Sequence, residues 1–246
     1  MLSSRELNFA GTPWKISQYD LNALESGKQL AAGGGSLTAL SIGSEAALGS
    51  SKIQKDIISR GADELKLVMD DGKPFQDSLQ TAKAIAEAVG TIGQYDLVLC
   101  GMGSSDLYFQ EVGVQVGELL GVPALNNITG IKPAGEGVLE VERTLEDEVE
   151  VLEVPLPAVL SVSSEINTPS VPAMRDIMRA GKKPVDKLDC QGGGEPSLRI
   201  LQQLAPQQQE RRKELVEGDG EEVTATLLQN GVESPVTLRL PGLTRE

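Results

Sequence analysis

Histidine is absent from this chain of 246 residues, and that absence narrows the chemistry open to its side chains. Nucleophilic catalysis by Ser-His-Asp or Cys-His groups is excluded, and the commonest neutral metal ligand is missing. The two cysteines, Cys100 and Cys190, are far apart in sequence and form no metal-ligand spacing. Cys100 ends an apolar run, which predicts a small buried side chain rather than a reactive thiol. We therefore expect no metal ion.

Aromatic side chains and clustered cations are scarce as well. Aromatic residues make up 3% of the chain, so Leu, Val, Ile and Ala must fill most of the core. The formal net charge is -14 and no basic cluster exceeds Arg211-Arg212-Lys213, which argues against a nucleic-acid surface. The sequence shows no signal peptide and no apolar run of membrane length. We therefore expect a cytoplasmic protein that is not embedded in a membrane.

Carboxylates are abundant, but they are grouped in runs such as Glu146–Glu148 and Glu217–Glu222. Such runs usually mark solvated turns rather than pairs of catalytic acids. Together with the missing histidine, they leave no convincing group of catalytic side chains, and we predict no catalytic residue.

The stretch Tyr95–Leu120 is the most informative part of the sequence. Leu97–Cys100 is typical of a buried strand, the Gly/Ser-rich turn Gly101–Asp106 follows, and helical spacing of apolar residues begins at Tyr108. A strand, a glycine turn and a helix N-terminus are what a phosphate site needs, because backbone N–H groups and the helix dipole attract the anion. The alternative is an ordinary strand–helix turn in which Asp106 simply caps the helix.

Strands and helices alternate through the first half of the chain. Strands are predicted at Leu37–Ile42 and Leu65–Met69, and helices are predicted from Asp20 as cap, at Lys52–Arg60, and around residues 79–89 with Asp77 or Ser78 as cap. This order predicts an α/β fold with a doubly wound, mostly parallel sheet. Ligands of such folds bind at the carboxyl ends of the strands, which is where the glycine turn lies.

The second half of the chain changes character. Val138–Arg143 and Glu148–Val154 flank an acidic turn, as in an antiparallel hairpin. Ala158–Val162 is typical of another strand, and Pro172–Ala180 of a short helix.

We divide the chain into a nucleotide-binding α/β domain at residues 1–186 and an extended C-terminal arm at 187–246. The arm has weak periodicity, a Gln- and charge-rich stretch at 207–214 and a late apolar stretch, Val236–Leu240. It either packs on a partner subunit or is partly disordered.

An ordered series of motifs resembles the β subunit of the electron transfer flavoproteins. In Val141–Ser161, a basic residue, acidic residues, a hairpin and then Pro-Ala-Val-Leu-Ser resemble the signature of this family. The resemblance extends over about residues 15–185. Further motifs in the family's order are Gln18–Glu25, Leu40–Gly43, Gly61–Glu64, Tyr95–Gly101, Glu165–Pro169 and Ile177–Lys183.

The resemblance implies a Rossmann-like fold of the adenine nucleotide alpha hydrolase-like type and a role as an electron carrier rather than an enzyme. Such a β subunit pairs with an α subunit, which holds most of the FAD. The complex takes electrons from flavin-dependent dehydrogenases of the acyl-CoA type and passes them to an acceptor, often a membrane-bound quinone oxidoreductase. The β subunit itself binds AMP, or a second FAD in the branch that oxidises NADH and bifurcates its electrons.

The resemblance also places the nucleotide on this chain. The phosphates would lie on the loop after the central strand, which resembles the Gly-Ser-Ser-Asp-Leu-Tyr subgroup of the family. Its residues are Gly101, Met102, Gly103, Ser104, Ser105, Asp106, Leu107, Tyr108, Phe109, Gln110, Glu111 and Val112. The segments around the adenine and ribose would be Ser17, Gln18, Tyr19, Asp20 and Ile42. Three of these residues could instead have a purely structural role: Asp20 as a helix cap, Tyr19 as a packing ring and Ile42 as a core residue at the end of a strand.

The N-terminus departs from the family pattern. Family members normally begin with an apolar strand at the centre of the sheet, whereas Met1–Asn8 is short and polar. We expect either a start codon assigned too far downstream, which we favour, or a truncated domain. In a truncated domain, an unpaired edge inside the sheet would lower stability and expose the pocket.

Two other functions use a similar fold. An adenine-nucleotide hydrolase would require a Ser-Gly-Gly-x-Asp-Ser-type loop early in the chain, and none is present. A stress-protein-like homodimer would need a longer glycine-to-glycine spacing ending in Gly-Ser or Gly-Thr, whereas Gly113 is followed by Val114. Both alternatives leave the hairpin within Val141–Ser161 unexplained.

Overall fold

The structure is a computed structural model, and it describes residues 5–8, 11–69, 77–104, 107–189, 196–198, 201–207, 224–225 and 228. Between residues 11 and 189 the helices are α1 (Gln18–Ala31), α2 (Glu45–Leu48), α3 (Ser51–Ser59), α4 (Ser78–Ile92), α5 (Val112–Leu120) and α6 (Met174–Ala180). The strands are β1 (Thr38–Gly43), β2 (Glu64–Met69), β3 (Leu97–Gly101), β4 (Ala124–Gly135), β5 (Val138–Thr144), β6 (Val149–Pro155), β7 (Ala158–Val162) and β8 (Val185–Leu188).

These strands form two sheets. One has three parallel strands in the order β1-β2-β8, and the other has five strands in the order β3-β7-β4-β5-β6. In the second sheet β3, β7 and β4 are parallel, and β5 and β6 continue it as an antiparallel hairpin. The predicted α/β class, with mostly parallel strands and a hairpin, is confirmed. The parallel strands are divided between two sheets, with β1 and β3 as edge strands.

Helices cover both faces of the larger sheet. Leu97 and Leu99 of β3 pack into the same apolar cluster as Ala23 of α1. Val98 and Cys100, which alternate with them, pack against the cluster of Ala82, Val116 and Val159 between α4, α5 and β7. Because successive side chains of a strand point to opposite faces, a strand covered on both faces is apolar throughout. This explains the continuous apolar runs that predicted β3 and β7.

Two helices begin at other residues than predicted. Ser17 is the N-cap residue of α1, so Asp20 lies in the first turn and is not the cap. Helix α5 begins at Val112, four residues after Tyr108, where the apolar spacing began. The reason is local, since Tyr108 has a φ of 52° and Gln110 a φ of 60°, which no right-handed helix accommodates.

Two strands were not predicted. β4 is twelve residues long, but it contains Asn126, Asn127, Gly130 and Pro133, residue types that are depleted in strands. Its pairing with β7 shifts register between Leu125 and Ile128, which breaks the alternation of side chains. β8 is short and mostly exposed, and its sequence therefore carries little apolar signal.

Asp77 caps α4, as one of the two predicted caps, and also holds a distant segment. Its carboxylate accepts hydrogen bonds from the backbone N–H of Gln80 at 2.7 Å, of Leu198 at 3.1 Å, and of Ser197. Burial alone would raise the pKa of Asp77, but the backbone hydrogen bonds outweigh burial and lower the pKa below its usual value. This carboxylate therefore joins the start of α4 to residues 196–198.

Residues 1–7 and 203–246 form a unit separate from residues 8–202. In its described part, Glu6 and Leu204 form an antiparallel bridge, and the N–H of Ala205 donates to the carbonyl of Arg5 at 2.7 Å. The apolar stretch Val236–Leu240 lies outside the described residues. Within the described part of the chain, every helix is too short or too polar to cross a bilayer.

Candidate functional site

A cavity of about 320 Å³ opens beside the glycine turn, at the carboxyl ends of β3 and β7 and beside Asn127 of β4. Its wall is formed by the start of α1, the loop after β3, part of β4, the turn between β5 and β6, and the residues after β7. The lining residues are Tyr19, Met102, Tyr108, Asn127, Thr144, Leu145, Glu146, Ser163, Ser164 and Glu165. The carboxyl edge of parallel strands is the place where α/β proteins bind ligands.

The first residue of the turn is a glycine because α1 packs directly on it. A Cβ atom at Gly101 would lie 2.7 Å from Oδ1 of Asp20 and 2.8 Å from Cβ of Tyr19. The backbone N–H of Gly101 donates a hydrogen bond to the Asp20 carboxylate. The structure thus brings together the two predicted segments, Tyr19–Asp20 and the loop after β3.

Asp20 packs against Gly101 on one side, and the residue as a whole is exposed to solvent. Loss of water raises the pKa of Asp20 to about 6, and the hydrogen bond from Gly101 offsets part of this effect. Burial, and secondarily the charge of Asp20, raises the pKa of Cys100 to about 12. Cys100 therefore stays a protonated thiol, in agreement with its predicted role as a small core residue.

We expect Asp20→Asn to remove part of the pH dependence of stability. Because folding raises the pKa of Asp20 from about 4 to about 6, the folded state binds the proton more tightly. The free energy of unfolding of the wild type should therefore fall as the pH rises from about 4 to about 6. Asparagine still accepts the Gly101 hydrogen bond without a charge.

Urea unfolding at about pH 4.5 and about pH 7 measures this effect. The variant should gain stability relative to the wild type at the higher pH. Equal pH dependence in both proteins would contradict the assigned pKa. Asp147→Asn, a change at an exposed carboxylate in the turn between β5 and β6, is the control.

Tyr108 folds back over the glycine turn. A Cβ atom at Gly103 would lie 2.5 Å from Cδ2 of Tyr108, so a side chain at this position would have to displace the ring. The Tyr108 and Tyr19 ring centroids are 5.5 Å apart, and the planes are tilted by 32°. The hydrogen bond to Tyr108, aided by burial, raises the pKa of the Tyr19 hydroxyl. Ser104 Oγ accepts from the N–H groups of Leu107 at 3.4 Å and Tyr108 at 3.3 Å, which holds this fold of the loop.

The N-cap residue of α5 does not cap the helix with its own side chain. Glu111 is the N-cap residue, but its carboxylate accepts from Ser78 Oγ of α4 at 2.6 Å instead of from its own helix. Gln115 Nε2 donates to the same Ser78 Oγ at 3.3 Å. The first N–H groups of a helix need partners, and together with the dipole they favour an anion there. The start of α5 therefore fits the predicted phosphate position.

Hydrogen bonds between Asn22, which is buried, and Asn167, which is partly buried, join α1 to the loop after β7. Asn22 Nδ2 donates to the carbonyl of Asn167 at 2.8 Å and to its Oδ1 at 3.1 Å. Asn167 Nδ2 in turn donates to the carbonyl of Asn22 at 3.0 Å and to Ser26 Oγ at 2.8 Å. These bonds join α1, which carries Tyr19, to the loop after β7, which carries Ser163–Glu165. We call this group the asparagine clasp.

Other predicted site residues lie elsewhere or are not described. Ile42 lies on β1 in the three-stranded sheet and does not line the cavity. Gln18 Nε2 donates to Asn22 Oδ1 at 3.2 Å and so belongs to the clasp. Leu107 and Phe109 are about half exposed, and Ser105 and Asp106 lie outside the described residues.

Several cavity residues were not predicted. Asn127 and Thr144 are paired through a hydrogen bond from the Asn127 amide to the Thr144 carbonyl, and Asn127 has a φ of 59°. Leu145 and Glu146 lie in the hairpin turn, and Ser163–Glu165 follow β7. Only Ser163–Glu165 had a signal in the sequence, because they come directly after a predicted parallel strand.

Among the described residues, no group of three or more His, Cys, Asp or Glu side chains is placed to hold a metal ion.

The fold is that of a doubly wound α/β protein, and the cavity lies open at the carboxyl edge of its parallel strands. The family model described as the electron transfer flavoprotein domain matches residues 7–191. Because the match covers most of the chain, the protein belongs to the electron transfer flavoprotein family. Proteins of this family carry electrons and are associated with a flavin. The family resemblance predicted from the sequence is confirmed at this level.

Proposed function

We propose that this chain is the β subunit of a cytoplasmic, heterodimeric electron transfer flavoprotein and binds a nucleotide at the cavity beside the Gly101–Val112 loop. The order of motifs between Gln18 and Lys183 supports the β assignment. The observation that carries the nucleotide site is the cavity at the carboxyl ends of β3 and β7, next to the N-terminus of α5, where the N-cap residue Glu111 makes no side-chain cap hydrogen bond. The α subunit would hold FAD.

The residues present fit such a nucleotide. Tyr19 and Tyr108 offer an aromatic surface for a heteroaromatic ring, and Asn127 and Thr144 bring polar groups to the same cavity. The charged lining residues are Glu146 and Glu165, so the ring end rather than the phosphate suits the cavity. The phosphate suits the start of α5. FAD would supply the redox chemistry, and this chain would supply position and electrostatics.

Nucleotide content of the purified heterodimer tests this function. The full chain is co-expressed with its α subunit, the complex is denatured, and the released FAD and AMP are quantified. One FAD with one AMP per heterodimer supports a carrier with a structural nucleotide on this chain. Two FAD molecules would make it the flavin-bifurcating type. Failure to form a complex, or a complex without nucleotide on this chain, would contradict the proposal.

We assign the docking of an electron-donating, flavin-dependent dehydrogenase to α6 and the residues before it. Val171, Met174 and Met178 are 90%, 73% and 71% exposed, which is unusual for large apolar side chains. Arg175 and Arg179 stand on the same helix, although the chain as a whole carries a net charge of -14. This combination matches a partner surface with an apolar pocket and an acidic rim. The reduced complex would pass its electrons to an acceptor such as a quinone oxidoreductase.

We expect the double change Met174→Ser and Met178→Ser to slow electron transfer from the dehydrogenase. Both side chains are solvent-exposed, so their loss should leave folding and nucleotide content unchanged. Loss of apolar contact at an interface centre typically weakens binding by about tenfold or more. Stopped-flow reduction of the heterodimer measures the second-order rate. Leu119→Ser, an exposed change on α5, is the control, and an equal rate in all three proteins would contradict this assignment.

A further inference from the structure

Helix α1 buries polar side chains on a face where most helices bury apolar ones. Asn22, Glu25 and Ser26 are 0%, 9% and 5% exposed, and their spacing places them on one side of the helix. All three are hydrogen-bonded to residues 164–170, which follow β7 and are neither helix nor strand. The exposed Val171 comes directly after them. The polar face of α1 therefore sets the path of the chain that leads to Val171.

The carboxylate of Glu25 is bound by donors from two distant parts of the chain. Its Oε2 accepts from the backbone N–H of Ser170 at 3.2 Å, from Ser170 Oγ at 2.7 Å and from Lys28 Nζ at 3.3 Å. Its Oε1 accepts from Gln29 Nε2 at 3.2 Å. Lys28 Nζ also donates to Ser170 Oγ at 2.7 Å, so the three residues are bound to one another. We call Glu25, Lys28 and Ser170 the serine anchor.

Glu25 carries its charge in this environment. Burial by itself would raise the pKa of Glu25, but the hydrogen bonds from Ser170, Gln29 and Lys28 outweigh burial and lower the pKa below its usual value. A buried carboxylate is unfavourable unless it is paired and hydrogen-bonded. An ion pair between residues three apart adds little to the stability of a helix, so α1 alone does not account for a buried carboxylate here. The bonds to Ser170 are its distinctive feature.

The backbone around Ser170 offers few other donors by which it could be held. Pro169 and Pro172 have no backbone N–H, so Ser170 and Val171 carry the only N–H groups within residues 169–172. Glu25 accepts the first of these two. Removal of the Glu25 carboxylate would therefore release the residue that directly precedes Val171.

The exposed residues Val171, Met174 and Met178, which we call the docking surface, lie between two points at which the chain is fixed. Ser170 is the first point, and Ala180 of α6 is the second, because it is buried in an apolar cluster with residues of α3 and β2. Val171 is next to the first point. A side chain that is held in its bound orientation before a partner arrives loses less conformational entropy on binding.

We propose that Glu25 is a positioning residue for the docking of the electron-donating dehydrogenase, because it fixes Ser170 and so presents Val171 to the partner. This inference rests on the proposed function, since it takes the docking surface as the place where the dehydrogenase binds. Glu25 itself is buried and bound to Ser170, and does not meet the partner. Its loss should weaken docking without changing electron transfer inside the docked complex.

Three variants weaken the serine anchor to different degrees. Glu25→Ala removes every bond from this side chain to Ser170. Glu25→Gln keeps the shape and one acceptor oxygen, but removes the charge that attracts Lys28. Ser170→Ala removes only an exposed hydroxyl group, which the fold should tolerate, and leaves the backbone N–H for Glu25.

Glu64→Ala is the matched control. The Glu64 carboxylate also binds a lysine and a hydroxyl group, Lys66 Nζ at 2.8 Å and Thr38 Oγ1 at 2.8 Å. Glu64 is next to Leu65 on β2, and Leu65 packs in the same cluster as Ala180. Because successive side chains of a strand point to opposite faces, Glu64 lies on the face of the sheet away from α6. This variant measures the effect of losing a bound carboxylate far from the docking surface.

Steady-state reduction by an acyl-CoA dehydrogenase gives the KM for the heterodimer and the kcat separately. The full chain is used in complex with its α subunit, and concentrations are set by flavin content so that only assembled complex is counted. We expect Glu25→Ala to raise KM at least about tenfold while kcat changes less than about twofold. Glu25→Gln and Ser170→Ala should each raise KM about threefold, and Glu64→Ala should leave KM unchanged. The double variant Glu25→Ala with Ser170→Ala should be no worse than Glu25→Ala alone.

The outcomes separate this inference from the proposed function. An unchanged KM in Glu25→Ala, or an equal rise in Glu64→Ala, overturns the role of Glu25 and leaves the docking surface in place. If Glu25→Ala does not assemble with the α subunit, an unchanged KM in Ser170→Ala overturns it instead. An unchanged KM after Met174→Ser with Met178→Ser overturns the docking surface, and the inference with it. A wild-type heterodimer that the dehydrogenase does not reduce overturns the proposed function itself.

Discussion

Replacing Gly117 by alanine is expected to lower the free energy of unfolding by about 2–4 kcal/mol, although alanine is the better helix former. A Cβ atom at Gly117 would lie 2.2 Å from Cβ of Ala124 on β4. Neither atom is at the end of a flexible side chain, so the helix and the strand must move apart. Gly113, one turn earlier in α5, is equally close to β7, since its Cβ would lie 1.9 Å from Ser161 Oγ.

Equilibrium unfolding in urea measures the loss, and the chain offers a rescue and a control. Ala124→Gly removes the opposing methyl group, so the double variant Gly117→Ala with Ala124→Gly should regain at least half of the lost stability. Gly90 lies within α4 with open space around its Cβ position. Gly90→Ala should therefore raise stability by about 0.5–1 kcal/mol. A loss at Gly117 that Ala124→Gly does not reduce would show that the close contact is not its cause.

The same contact matters for the site, because α5 presents its N-terminus at the glycine turn. If the helix shifts away from β4, the N–H groups at Val112 and Gly113 move with it. We therefore expect Gly117→Ala to weaken binding of AMP as well, and the rescue variant to restore it together with stability. Calorimetry on the same variants checks this link.

The sequence predicted a strand correctly where a single physical signal, such as an apolar run or a turn between alternating strands, dominated. Ala158–Val162 was predicted with the bounds that β7 has, because all of its residues except Ser161 are apolar and Pro157 precedes it. The hairpin of β5 and β6 followed from an acidic turn between two alternating strands. β4 was missed because Asn126, Asn127 and Pro133 conceal its strand character, and its pairing with β7 is set by tertiary contacts.

The site could be predicted in part for a related reason. The family resemblance pointed to Tyr19, Asp20 and the loop after β3, and the structure places these residues in contact. Periodicity, however, placed Tyr108 on a helix, since spacing does not reveal that a residue has a positive φ. Asn127 and Thr144 are brought to the cavity by the pairing of β4 with β5. Local sequence does not reveal which strands pair, so these two residues could not be predicted. Ile42 stays a prediction.

Asn22→Ala is expected to cost about 2–4 kcal/mol of stability, because it breaks the centre of the asparagine clasp. Asn22 is fully buried, and its side-chain amide donates to groups of Asn167 on the loop after β7. A buried carbonyl left without its donor costs about 1–3 kcal/mol, and more than one partner is affected here. Lys83→Ala, an exposed change on α4, should alter stability by no more than about 0.5 kcal/mol.

The variant Asn22→Asp distinguishes the effect of lost hydrogen bonds on stability from the effect of lost side-chain volume. Aspartate has the same shape, but when ionised it has no N–H group, so it faces the carbonyls of Asn167 and Ser164 as another acceptor. At neutral pH the loss should therefore be at least as large as for alanine. If Asn22→Asp kept most of the stability, packing rather than hydrogen bonding would be the role of Asn22.

A double-mutant cycle with Asn167→Ala then measures how far the two walls of the cavity depend on each other. Asn167 bonds both to the carbonyl of Asn22 and to Ser26, so removal of either asparagine exposes the same interface between α1 and the loop after β7. We expect a coupling energy of about 1–3 kcal/mol, and the double variant to be little worse than Asn22→Ala alone. Because Tyr19 stands on one wall and Ser163–Glu165 on the other, the affinity for AMP should fall in both single variants. Additive losses would mean that the two asparagines stabilise the fold independently, and the cavity would then not owe its width to the clasp.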